Sequence, residues 1–292
     1  MTRTVWPTPD RSRLVDVGGL RVFVTDVGPE CDLPLVLLHD VLTCGHAFAT
    51  LLECLPADRR YLVVDLPGCG ESDRPDPAAL DHHSIERLAE VVNQALVSTG
   101  VARYEVLGQG FGALVAMAMA SQTAAGGDAG ERGVVRVIAV GVPRSGAHLP
   151  HEMRLAGLPA VGPMAFARAY RRVDLERTLA RWHADPRTVE RLAVDVYWDR
   201  LGRAGGMAAA CDMLLQLERG PQIGERFSHS GVAALVVWGE RDPIGAADRA
   251  AWAELLPNAR TVTLEGCGHC VAQERPAALV DAVASGGPWA AQ

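Results

Sequence analysis

The groups in this chain that can do chemistry are carboxylates, imidazoles and thiols set at turns, with no amine among them. All 28 basic residues are Arg and no Lys occurs. A Schiff-base lysine, needed to anchor pyridoxal phosphate or to run an imine aldolase, cannot be built, and neither can a phosphate-loop lysine. Asp40 follows His39 directly after an apolar run, Asp65 and Asp242 end two others, and His269 lies in a Gly-Cys-Gly-His turn. An imidazole near a carboxylate suits general acid-base work. Cys44 and Cys270 follow two of these turns, and they are expected to be small buried hydrophobes, because a thiol nucleophile needs a base within hydrogen-bond reach. His46, His82 and His83 have no third ligand at metal spacing, so no zinc site is expected. The seven cysteines are an odd, scattered set without paired Cys-x-x-Cys clusters, which argues against a disulfide framework.

Short apolar runs must position these turns. Residues 13–18 and 20–26 flank Gly18-Gly19 and read as an antiparallel hairpin at one sheet edge. Runs at 35–39, 61–66, 104–107, 136–142, 234–238 and 260–264 complete eight strands, with helical spacing at 46–56, 84–99, 111–122, 246–256 and 275–285. That alternation predicts an α/β domain with a mostly parallel sheet covered on both faces. One gap is too long for a crossover. Between 142 and 234, helical apolar spacing recurs at 153–171, 175–184, 188–201 and 207–217, which predicts a helical cap over 144–228 inserted into a core of 1–143 and 229–292. A cap above the strand ends would shield substrate from water. In it, Tyr170, Trp182, Trp198, Met207 and Met213 are expected to be mostly core, with two or three lining a cleft. The Gly- and Ala-rich stretch 121–133 reads as a flexible surface loop.

Composition narrows the partners. Hydrophobic residues make up 49% and charged residues 22%, as in a packed globular chain, and the net charge of −7 repels phosphate backbones and anionic lipid. Nucleic acid and membrane surfaces are therefore not expected partners. Residues 1–10 have no apolar signal core and no later run reaches the ~20 apolar residues of a membrane helix, so a cytoplasmic location is expected.

Five turn motifs then fall in one order: Leu37-Leu38-His39-Asp40-Val41, Asp65-Leu66-Pro67-Gly68-Cys69-Gly70-Glu71-Ser72, Gly108-Gln109-Gly110-Phe111-Gly112, Trp238-Gly239-Glu240-Arg241-Asp242 and Gly266-Cys267-Gly268-His269. As a set they resemble the α/β-hydrolase fold family over almost the whole chain. The resemblance implies His269 as general base, Asp242 as the group that orients it, and an oxyanion hole made by the backbone N–H groups of Val41 and Phe111. Asp40, Cys44, Gln109 and Cys270 are the expected substrate neighbours. The chain departs from the family pattern twice. Gly110 stands where the resemblance places the nucleophilic serine, and Asp40 stands where glycine leaves room beside the oxyanion hole.

These departures set the functional expectation. Without the serine, His269 and the oxyanion hole imply noncovalent acid-base chemistry (cyclisation, elimination, an aldol-type step, decarboxylation or acyl transfer) on a small, partly apolar, carbonyl-containing molecule, with natural-product biosynthesis as a setting and no cofactor. The alternatives are an ester or thioester hydrolase whose serine has been exchanged, and a catalytically silent ligand-binding protein. A carrier protein or a second copy of the chain is left open as a partner.

Overall fold

The computed structural model describes residues 12–75, 83–125, 132–149, 153 and 162–285. Eight strands form one sheet in the order β1-β2-β4-β3-β5-β6-β7-β8: β1 Ser12–Val17, β2 Leu20–Val27, β3 Leu35–Leu38, β4 Tyr61–Val64, β5 Arg103–Gln109, β6 Gly133–Val140, β7 Ala233–Gly239 and β8 Arg260–Leu264. β1 and β2 pair antiparallel, β2 pairs antiparallel with β4, and all other neighbours are parallel. The chain is an α/β hydrolase fold. Parallel strands buried on both faces need no polar alternation, and β3 and β4, Leu-Val-Leu-Leu and Tyr-Leu-Val-Val, are buried throughout.

Side chains alternate between two cores. Val36, Leu38, Leu62, Val64 and Val106 point to one, and Leu35, Leu37, Tyr61, Val63 and Leu107 to the other. Helices α1 Ala49–Cys54, α2 Ile85–Ser98 and α3 Phe111–Ala125 follow β3, β4 and β5. α2 starts where the Ser84 hydroxyl accepts from the Arg87 N–H and presents one apolar face to the first core. α3 is buried almost all round over its first ten residues. It is longer than expected. Its last turn runs into the stretch expected as a loop, where side chains bond to backbone: the Ser121 hydroxyl to Met117 O, the Gln122 amide to Glu86 O and the Thr123 hydroxyl to Ala120 O. Residues 126–131 of that expected loop lie outside the described residues, as do His82 and the first ten residues.

Between β6 and β7 the described helices are α4 Gly162–Ala169, α5 Arg172–Trp182, α6 Arg191–Leu201, α7 Gly206–Gln216 and α8 Gly220–Ser228. They fall within the stretch expected to form a cap, although most of the helix expected over 153–171 before residue 162 is outside the described residues. α8 is not among the helices expected from apolar spacing between β6 and β7, which end at 217. Pro at the first turn starts the helix, and Gly224 lets it lie against the Trp252 ring, where a Cβ would overlap. The chain closes with α9 Ala246–Leu255, α10 Val271–Glu274 and α11 Pro276–Ala284. No helix among the described residues is long and apolar enough to cross a membrane.

The helical segment is tied down beyond the carboxyl ends of the strands. Glu71 in the turn after β4 pairs with Arg200 and Arg203, Glu86 at the start of α2 pairs with Arg219 and Arg226, and His83 meets Asp212 at 3.0 Å. Directly beside the histidine turn, His269 N–H donates to Trp182 O at 2.6 Å and Ala184 N–H donates to Glu274 at 2.7 Å.

Candidate active site

β3 ends at Leu38, and its next two residues form a tightly held turn. The His39 ring donates from Nδ1 to Asp40 O at 2.8 Å while Nε2 accepts from the Leu66 N–H at 3.0 Å. Both ring nitrogens are thereby engaged in one tautomer, and burial lowers the ring's pKa, so His39 is a neutral strut. Asp40 O also accepts from the Thr43 N–H and hydroxyl. Leu42 is the one non-glycine described with positive φ, at +65°, a conformation that costs roughly 1–2 kcal/mol for such a residue. The turn is strained and braced, and it aims the Asp40 carboxylate back over the end of β5.

At that end lies Gly110, with φ +56°. A Cβ there would overlap the Asp40 carboxyl carbon and both of its oxygens. The carboxylate thus fills the volume that any side chain at 110 would need. Gly108 and Gly112 flank it at close approaches: a Cβ at 108 would strike backbone at Gly112, and one at 112 would strike Leu38 O and His39 O. Gly110 therefore answers to Asp40, while its neighbours answer to strand and helix packing.

The N–H groups of Val41 and Phe111 converge as the sequence implied, but their shared acceptor is a residue of the chain. Each donates at 2.7 Å to Asp40 Oδ1. Asp40 Oδ2 stands 2.9 Å from Nε2 of His269, whose Nδ1 stands 3.0 Å from Asp242 Oδ2. Asp242 Oδ1 accepts from the Ile244 N–H at 2.8 Å. Gly141, at the end of β6, makes room for the pair, since a Cβ there would press on His269 Nδ1 and Asp242 Oδ2.

The three side chains are 5%, 1% and 0% exposed for Asp40, His269 and Asp242, so water screens their charges little. Burial alone would lower the His269 pKa. The Asp242 charge and hydrogen bond, then those of Asp40, outweigh it and raise the imidazole to about 10. Burial likewise opposes ionisation of Asp242, and the facing imidazolium wins and holds that carboxyl below its usual range. At neutral pH the ring is thus an imidazolium between two carboxylates. This differs from the expected free base: with Asp40 across Nε2, the resting ring has a proton to give and none to take.

The remaining expected residues are buried close to this centre. Gln109 is buried, and its side-chain oxygen accepts from the Ala272 N–H at 3.2 Å, tying the β5 turn to α10 behind His269. Cys44 and Cys270 are buried, and burial pushes both thiols well above their usual pKa, so neither is a thiolate. Cys267 and Cys270 bracket His269 at Cys-x-x-Cys spacing, a local signal absent from the sequence expectations, and both are free thiols. Trp182, Tyr170 and Met213 are buried in the core, with Trp198 and Met207 packed against it, and the Trp182 ring lies 5.2 Å from the His269 ring. Among the described residues no group of three or more His, Cys, Asp or Glu is arranged to hold a metal.

An eight-stranded, mostly parallel sheet that carries an imidazole between two carboxylates at its strand ends defines a hydrolase-type α/β protein. The chain belongs to the alpha/beta hydrolase family, whose model matches residues 35–282. It is similar to a protein named putative carbamate hydrolase RutD from Escherichia coli O81 (strain ED1a), 38% identical over 92 residues, which are 32% of this chain and 34% of that protein. It is also similar to the dihydrolipoyllysine-residue acetyltransferase component of the acetoin cleaving system of Pseudomonas putida, 27% identical over 92% of this chain and 66% of that one. The matches thus span about a third to two thirds of these curated relatives. Among solved structures, Cfl2 from Burkholderia cenocepacia superposes with a TM-score of 0.79 at 22% identity over 94% of both chains. The epoxide hydrolase CorEH superposes with a TM-score of 0.79 at 18% identity over 94% of this chain and 97% of its own.

Proposed function

We propose that this chain is a hydrolase in which Asp40, from the turn after β3, is the nucleophile in place of a side chain at Gly110, and that its substrate is a small epoxide. The observation that carries this reading is the position of the Asp40 carboxylate: over Gly110, one oxygen on the N–H groups of Val41 and Phe111, the other against His269. A carboxylate so held has one oxygen to attack with and one already seated where negative charge would later develop.

The reaction balances as follows. Asp40 Oδ2 forms a bond to an epoxide carbon, the carbon–oxygen bond of the ring breaks, and the alkoxide takes the Nε2 proton of His269. Asp40 is then a neutral ester, so one of the two charges that held His269 protonated is gone and the ring has become a base. Water gives a proton to Nε2 and its oxygen bonds to the Asp40 carboxyl carbon. The resulting oxyanion, at Oδ1, lies on the Val41 and Phe111 N–H groups. Collapse breaks the carboxyl carbon–Oδ2 bond, the departing alkoxide takes the proton from His269, and the new acid returns one to the ring. The net change is epoxide plus water to diol.

The choice of an epoxide as substrate takes its lead from the name of the structurally similar epoxide hydrolase CorEH. Noncovalent base chemistry by His269, the expectation from sequence, is favoured less, because Asp242 and Asp40 together hold the ring protonated at rest. Styrene oxide serves as probe. A single turnover in 18O-water is expected to give diol whose new oxygen is unlabelled, with the label in the Asp40 carboxyl group by peptide mass spectrometry. His269→Gln is expected to lose steady turnover, because the ring gives the proton in ring opening and takes one in hydrolysis of the ester. Label appearing in the first diol instead would overturn the reading, as would turnover that survives Asp40→Ala.

A further inference from the structure

A second cleft lies beside this centre, between the short turn Gly45–Phe48 with α1 on one side and α5, α6 and α10 on the others. His46, Thr50, His183, Glu190, Tyr197 and Gln273 supply its polar lining, and its volume is about 60 Å³. Asp40, Asp242 and His269 do not line it. Leu179 and His183 do, while Trp182 between them turns its carbonyl and ring toward His269. The segment thus serves two spaces. A pocket for a drug-sized ligand is roughly 300–1,000 Å³, so this one takes a group of a few atoms.

The lining is specific in what it offers. No Arg is part of it, and Glu190 opposes an anion. Gln273 donates to the Tyr197 hydroxyl oxygen at 2.8 Å, which leaves the Tyr197 O–H to donate onward. His183 donates from Nδ1 to Leu179 O at 2.7 Å, so Nε2 is an acceptor. Nδ1 of His46 is buried with no partner, a polar atom left unsatisfied until a ligand group reaches it. Burial lowers the pKa of both His46 and His183, which keeps the pocket's imidazoles neutral. We infer that this cleft is a second binding site, for an uncharged hydroxyl- or amide-bearing small molecule recognised by His46, His183 and Tyr197.

The site stands independently of the Asp40 reading, and its test separates the two. Saturation-transfer NMR on the full chain is run with benzyl alcohol, benzamide and benzoate at millimolar concentration. The alcohol and amide are expected to bind and benzoate not to, with the signal at least threefold weaker in Tyr197→Phe and in His46→Ala, each checked for folding by circular dichroism. Asp40→Asn is expected to bind the probes as the parent does, even if that variant proves inert in turnover or unchanged in it. The inference is overturned if no probe binds, if benzoate binds as well as benzamide, if both folded pocket variants bind like the parent, or if Asp40→Asn abolishes binding, since the probes would then occupy the Asp40 centre.

Discussion

Two strand-end turns, after β3 and after β5, meet at one point and contribute to it unequally. The β5 turn keeps glycines at 108 and 112 for close packing but carries no side chain at 110, while the β3 turn carries Asp40 and delivers its carboxylate to the point above Gly110. The first is unburdened and the second is strained at Leu42 and braced by His39. One point in space is thus reachable by a side chain from more than one strand of a sheet. A residue missing from one turn is informative only with the neighbouring turn in view.

The largest effect should come from emptying the second turn. Asp40→Asn and Asp40→Ala are expected to lower kcat/KM for styrene oxide on the order of 10³-fold or more, with folding retained; steady-state kinetics showing less than tenfold loss would end the comparison. Refilling the first turn should be the next largest. Gly110→Ser forces a side chain into the carboxylate at a positive φ and is expected to cost about 1–3 kcal/mol by urea denaturation. Gly110→Ser combined with Asp40→Gly should recover much of that loss, and strict additivity in the double-mutant cycle would show that the two turns are uncoupled.

A pH titration sharpens the same contrast. The His269 ring, followed by imidazole NMR, is expected to remain protonated through neutrality and to titrate near pH 10, and in Asp40→Asn to titrate lower, because one of its two anions is gone. Its folded pKa lies above its ordinary 6.5, so the folded state binds the extra proton between the two values. The stability from this site is therefore present in full below about pH 6.5 and is lost as pH rises through about 10, visible as a falling urea midpoint. The turn after β4 supplies the floor. Glu71→Gln removes a partly exposed pairing with Arg200 and Arg203 and is expected to cost about 1 kcal/mol or less, with kcat/KM unchanged.

The positions of the strands and of most helices were legible because parallel strands buried on both faces and helices with one apolar face leave different periods in a sequence, whereas the order of the strands came only from the structure. The turns after β3, β5, β7 and β8 were legible as a set from their motifs, and their residues do converge, with the N–H groups of Val41 and Phe111 on one acceptor. Helix α8 and the end of α3 were not legible, since each depends on partners far along the chain: Trp252 for Gly224, and Glu86 for Gln122. Gln109, expected near substrate, is taken up by Ala272, a contact spanning 163 residues.

Sequence alone determined that position 110 has no side chain, that a carboxylate follows His39, and that the amine chemistries are closed to a chain without Lys. Only the tertiary structure decided that the first two facts are one. Asp40 and Gly110 each follow the end of one of two adjacent parallel strands that meet in register, Leu38 beside Gly108, and that pairing brings the carboxylate over the glycine and against His269. The protonation of His269 has the same origin. It depends on two carboxylates converging from 229 and 27 residues away in a space that excludes water, and charge separation in space is not written in the local sequence.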